Sequence, residues 1–252
     1  MLYLFISLCD NIQQNIMETH PMNHLKTVLF AILGLQRVLW KHLGFRWPAM
    51  LLKAFANSGK LIDQTRWKED PSEEAEYLKL IAVFAALYLD LLMKFPEEKA
   101  RRIQREIMET AVLNDDMIAS RQCGLLDTVD PFRRFQQFNK HLSQEGSGKF
   151  NHLIFYSREP HEIHYLQTRC LFHDFFTEVG LPELTRYFCN IDRVIYQKIF
   201  PEYHFNRNGN WANTLGYGAP QCEFVFLLKD RPDIEFEEEP TEVMLPLVTQ
   251  GI

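Results

Sequence analysis

From Asn23 to Leu43 the apolar residues Leu25, Val28, Leu29, Ile32, Leu35, Val38 and Leu39 recur at three-to-four spacing. That period predicts a helix with one buried stripe, closed by Gly44. A second, short helix is expected over Ala49–Asn57, ahead of Gly59. Asp70-Pro71-Ser72-Glu73 then marks a helix start, with Asp70 as the capping carboxylate and proline at the first helical position. The carboxylates of Glu73 and Glu74 favour the positive end of that helix. It should run to about Lys94 with Leu78, Ile81, Phe84, Leu87, Leu91 and Leu92 inward. Pro96-Glu97-Glu98 opens another through Arg101, Ile107 and Ala111.

The texture changes after Ser143–Lys149, a polar Gly/Ser run that predicts a loop or junction. Asn151–Tyr156 and Glu162–Thr168 alternate β-branched or aromatic residues with polar ones, as half-buried strands do. Cys170–Val179 reads as a helix ended by Gly180, and Pro182 opens a helix that includes Cys189. His204–Asn208 and Cys222–Leu228 read as further strands, the second with Cys222, Phe224, Phe226 and Leu228 on one face. Helices followed by separated strands predict an α+β fold: an N-terminal helical region packed on a C-terminal antiparallel sheet with short helices. The expected divisions are an extension or extra helix over 1–22, a helical region over 23–142, a cysteine-containing α+β domain over 150–229, and an acidic, loosely ordered tail over 230–252. Met17 and Met22 offer alternative starts, and no internal repeat is evident.

Composition narrows the class. A net charge of -6 disfavours nucleic-acid and anionic-membrane partners. Two apolar stretches raise the membrane alternative. Lys26 and Arg37 close Val28–Leu35 well short of the roughly 20 residues a span needs, and Leu80–Met93 contains Asp90. Both predict buried helices. Met1–Ser7 lacks the basic start of a signal peptide. Five scattered cysteines are too few for a disulfide framework, and the odd count points to a reducing, cytoplasmic setting.

Candidate chemistry gathers in the second half. In Arg169-Cys170-Leu171-Phe172-His173 the thiol and imidazole share a helical face, and Cys189 and Asp192 have the same spacing. In Gly216-Tyr217-Gly218-Ala219-Pro220-Gln221-Cys222 a glycine turn delivers a cysteine to a strand. A thiolate is both nucleophile and soft metal ligand, and its pKa falls beside a cation or a helix N-terminus. Cys170, near Arg169 and His173, has such surroundings. Each cysteine taken singly is also an ordinary small core residue. Cys9 and Cys123 read as structural. Gly216-x-Gly218 is too short for a phosphate loop, His161-Glu162-Ile163-His164 lacks the histidine spacing of a zinc-protease helix, and Phe132, Phe135 and Phe138 read as core.

Arg169-Cys170, Gly180-Leu181-Pro182-Glu183-Leu184, Cys189-x-x-Asp192 and the Gly218-x-x-x-Cys222-x-Phe224 ending resemble, in order and spacing, the L-2-amino-thiazoline-4-carboxylic acid hydrolase family. The last element is also similar to 4-vinyl reductase domains, which bind small molecules. The resemblance implies hydrolysis of a cyclic carbon–nitrogen bond in a small amino-acid-like substrate, on a route to L-cysteine. Mapped onto the matching positions, Cys170, His173 and Asp192 are the expected catalytic residues, and Arg169, Arg207 and Gly218 the substrate-binding ones. Cys170, Cys189 and Cys222 are candidate ligands for a divalent metal such as zinc. Either Cys170 attacks, or water does so after activation by a metal or a carboxylate. A non-catalytic small-molecule or metal-binding module is the alternative. A small-molecule substrate and self-association through the helical region are the expected partnerships.

Overall fold

Apolar stripes and alternating strands become helices and a sheet much where the pattern places them. The computed structural model describes residues 35–112, 130–144 and 146–229. The expectations for residues 1–22, the start of the first helix, Cys9, Cys123 and the acidic tail lie outside them. Helix α1 (35–43) reaches Gly44 and passes through a 3-10 turn, Gly44–Arg46, into α2, Trp47–Ile62. Then follow α3 (Glu73–Lys94), α4 (Glu97–Val112), α5 (Pro131–Gln144), β1 (His152–Glu159), β2 (Glu162–Arg169), α6 (Leu171–Glu178), α7 (Leu184–Ile199), β3 (Tyr203–Asn206) and β4 (Cys222–Leu228). This is an α+β fold. Among the described residues no helix is long and apolar enough to cross a membrane.

Two helix boundaries differ from expectation, each for a physical reason. Helix α2 runs through Gly59 to Ile62 instead of ending near Asn57. A glycine inside a helix costs about 1 kcal/mol, and burial of Leu61, two residues on, offsets it. At the start of α3 the cap is Ser72, whose hydroxyl accepts from Ala75 N at 3.3 Å. Asp70 instead accepts from Ser72 N at 2.8 Å, a turn that holds the cap in place and leaves Pro71 outside the helix.

The four strands form one antiparallel sheet in the order β1-β2-β4-β3. Its inner face carries Ile163, Tyr165, Cys222, Phe224 and Phe226, packed with Phe135 and Phe138 of α5 and Ile191, Ile195 and Ile199 of α7. Tyr165 stacks on Phe224 with ring centroids 4.6 Å apart. A second core joins α1–α4 to Leu171, Phe175 and Phe176 of α6 and Leu184 of α7. Helix α7 therefore begins in one core and ends in the other. Cys189 and Asp192 lie at that seam.

Arg169, at the end of β2, ties the sheet to the helices. Its Nη1 and Nη2 donate to Glu74 at 2.7 and 2.8 Å, and its Nε donates to Asp174 at 3.1 Å. The Arg169 hydrogen bonds hold the Glu74 carboxyl below its ordinary range. A depressed carboxyl stabilises the fold above its unfolded pKa, and that contribution is lost as pH falls through the folded value. With 37% of the Arg169 side chain exposed, water screens the pair. Glu74→Gln is therefore expected to cost about 1 kcal/mol near pH 7 and nothing near pH 2. Urea unfolding at both pH values measures this, and an equal cost at both would contradict it.

Candidate active site

Thiols from a helix and a strand meet under a turn. Cys189 comes from the middle of α7 and Cys222 from the first position of β4, and both are buried. The segment between β3 and β4 folds back over them through the 3-10 turn Leu215–Tyr217. Leu215 N donates to Cys222 Sγ at 3.2 Å. Gly216 lies so close to α7 that a Cβ there would sit 3.2 Å from Cys189 Sγ, Thr185 Cγ2 and Arg186 N. Arg186 Nε donates to Gly216 O at 2.9 Å and fastens the turn to the helix.

Arg207 closes the cluster from the end of β3, with only 1% of its surface exposed. Its Nη1 donates to Glu223 O at 3.0 Å, and its Nη2 to Cys189 O at 3.4 Å and to Asp192 Oδ2 at 3.0 Å. The guanidinium lies 4.1 Å from the Phe224 ring centroid and 4.9 Å from that of Phe205. Rings and carbonyls replace water around the cation, as a buried arginine requires. Asp192 lies at the rim, with 35% of its side chain exposed.

These neighbours divide the two thiols into different states. The hydrogen bond from Cys222 lowers the Cys189 pKa most, burial and the Asp192 charge oppose it, and Arg207 and Thr214 lower it further. Cys222 is pushed up, first by that same hydrogen bond to Cys189, then by burial and the Cys189 charge. The pair thus favours a thiolate at Cys189 and a proton-bearing thiol at Cys222. Burial alone would lower the Arg207 pKa, but Asp192 and the two thiols outweigh it and keep the guanidinium charged.

Cys170 stands close enough to feel both Cys189 and Asp192. Burial and then the Cys189 charge push its pKa up to about 12, against weaker help from the backbone N–H groups of His173 and Phe172. It occupies the N-cap position of α6. His173 follows one turn on from this N-cap position in α6. Its ring is half-buried, with Nδ1 unpartnered among the described residues, and burial lowers its pKa. The guanidinium of Arg169 is taken up by Glu74 and Asp174. Gly218 is exposed, with a φ of 89°, and ends the Leu215–Tyr217 turn.

The structure therefore gathers Cys170, Cys189, Cys222, Asp192 and Arg207, and leaves Arg169 and Gly218 with structural contacts. The sequence reading passed over Thr214 and the close approach of Gly216. For Gly216 a hint existed in the Gly-x-Gly turn ahead of Cys222, whereas nothing in the sequence singled out Thr214. Among the described residues no group of three or more His, Cys, Asp or Glu is placed to hold a metal ion. A cleft of about 480 Å³, lined by residues such as Leu61, Ala86, Asp90 and Met93, shares no residue with the thiol cluster.

The two glycines should respond differently to a methyl group. Gly216→Ala crowds Cys189 and the α7 backbone and is expected to destabilise by about 1–3 kcal/mol while shifting the thiol's reactivity. Gly218→Ala meets open space, and only its left-handed backbone costs about 1 kcal/mol. Denaturation together with thiol-labelling rates distinguishes them. Equal labelling in both variants would contradict the close approach at Gly216.

A family model described as L-2-amino-thiazoline-4-carboxylic acid hydrolase matches residues 77–226. That span is more than half of the chain and includes every residue of the cluster. No curated protein and no solved structure matches the chain.

Proposed function

The chain belongs to the L-2-amino-thiazoline-4-carboxylic acid hydrolase family, and on that premise we propose that it opens the ring carbon–nitrogen bond of a thiazoline carboxylate or a related small cyclic amidine. The observation that carries this reading is the Cys189–Cys222 pair, one thiol favoured as thiolate and the other as proton-bearing thiol, beside a buried guanidinium.

The amidine-like carbon of a thiazoline is bonded to sulfur and two nitrogens and is open to a soft nucleophile. Cys189 sulfur adds to it, and the ring nitrogen takes a proton as its bond to that carbon breaks. Cys222 supplies the proton. Its pKa is high chiefly because it is hydrogen-bonded to Cys189, and that hold is released once the Cys189 electron pair enters the new bond. Arg207 then faces the charge left on Cys222. Water adds to the same carbon while Asp192 accepts a proton, Cys189 departs as thiolate, and the proton on Asp192 passes through solvent to Cys222, which restores the starting pair. The net change is the addition of one water, leaving a carbamoyl group on the substrate sulfur. Asp192, the most exposed member of the set, marks the side from which a substrate approaches. Cys189, whose acidity its neighbours raise, suits the nucleophile's role better than Cys170, whose thiol burial holds protonated.

The test is ring opening by purified protein over a panel of thiazoline carboxylates, with and without chelator. Turnover unaffected by chelator is expected. Turnover lost with chelator and restored by zinc would replace the thiolate route with a metal-assisted one. Binding without turnover would make the protein a small-molecule-binding module.

A further inference from the structure

We infer that Cys189 and Cys222 form a reversible disulfide on exposure to hydrogen peroxide, so that the thiol cluster is also an oxidation-sensitive switch. The inference goes beyond the hydrolase reading and rests on the placement of the two sulfurs, whatever the substrate.

Leu215 and Gly216 are consecutive residues, and their backbone meets both sulfurs. One donates to Cys222 Sγ at 3.2 Å, and a Cβ on the other would lie 3.2 Å from Cys189 Sγ. Each thiol is the largest single influence on the other's acidity, as befits groups in close proximity. They come from different elements, α7 and β4, so a bond between them would lock the helix to the sheet. Arg207 reinforces the approach, because it grips the carbonyls of Cys189 and Glu223 at once.

The electrons balance in two steps. The Cys189 thiolate attacks one peroxide oxygen, the O–O bond breaks, hydroxide leaves, and Cys189 becomes a sulfenic acid. Cys222 sulfur then attacks Cys189 sulfur, the S–O bond breaks, and the oxygen leaves as water with the proton Cys222 carried. Two sulfurs are oxidised by two electrons and one peroxide is reduced. The Cys189 nucleophile is consumed, and a dithiol reductant restores it.

The full chain, reduced and freed of reductant, is treated with hydrogen peroxide and then mapped by mass spectrometry without reduction. The expected result is a Cys189–Cys222 linked peptide, a loss of about 2 Da, and full reversal by dithiothreitol. In Cys222→Ala the expected product is a dimedone-trapped sulfenic acid on Cys189. Linkage of either cysteine to Cys170, Cys9 or Cys123 would overturn the inference, as would sulfinic acid at Cys189 without a disulfide, or two intact thiols after treatment. The wild-type map decides the matter if the variant does not fold. None of these readouts uses turnover, so failure of the switch and failure of the hydrolase proposal remain distinguishable.

Discussion

Cys189→Ser is expected to lower kcat for thiazoline ring opening by about a thousandfold or more while the protein stays folded. A serine hydroxyl is close in size to the thiol, but it does not ionise under the influence of Arg207 and Cys222 and is a far weaker nucleophile. Cys170→Ser supplies the contrast. The Cys170 thiol is held up to about 12 and carries no charge at neutral pH. Its replacement should cost stability more than turnover. The pH profile gives an independent reading. The thiolate is the reactive form, so kcat/KM should rise with pH through a Cys189 pKa below the ordinary thiol value and be lost as pH falls. Cys222→Ala removes the largest cause of that depression and should move the rising limb to higher pH. A limb that stays in place, or Cys189→Ser turning over near the wild-type rate, would sink the assignment of Cys189 as nucleophile.

Arg207→Met should be the most destabilising single change in the cluster, by about 2–4 kcal/mol. Methionine fills part of the space between Phe205 and Phe224 but donates nothing. The carbonyls of Cys189 and Glu223 are left buried without that donor, and Asp192 loses the guanidinium. The Cys189 pKa should rise as well, because the nearby positive charge is gone. Arg207→Lys restores charge without the planar fork, so it should recover more of the thiol's acidity than of the stability. Urea denaturation and a thiolate absorbance titration measure the two effects separately. A variant as stable as wild type would show that the carbonyls find other partners.

Several elements were legible because they depend on local spacing. The three-to-four stripe from Leu78 to Leu91 needs only a period, and it is the buried face of α3. Cys222, Phe224 and Phe226 alternate in β4, and all three turn to the inner core. Phe135 and Phe138 pack as core, as their helical spacing predicts. Boundaries read less well where two local signals compete. Asp70 and Ser72 both suit a cap, and a turn between them decides which one serves.

Arg169 and Arg207 show where local reading stops. In sequence they are equivalent candidates for gripping a substrate carboxylate. In the fold the first lies within reach of Glu74 and Asp174, 95 and five residues away. The second is enclosed by two rings, two carbonyls and Asp192. Similarly, Cys170 and His173 are three apart in sequence, but the thiol sits buried at the helix N-cap, where burial keeps it protonated.

By itself, then, the sequence determined the α+β class, the element types and the set of chemistry-bearing residues, because period, alternation and the order of motifs are properties of neighbours along the chain. Only the tertiary structure decided which thiol is the more acidic. Acidity depends on distances between groups far apart in sequence, and α7, β3, β4 and the turn at Gly216 must all be packed before Cys189, Cys222 and Arg207 share one dry space.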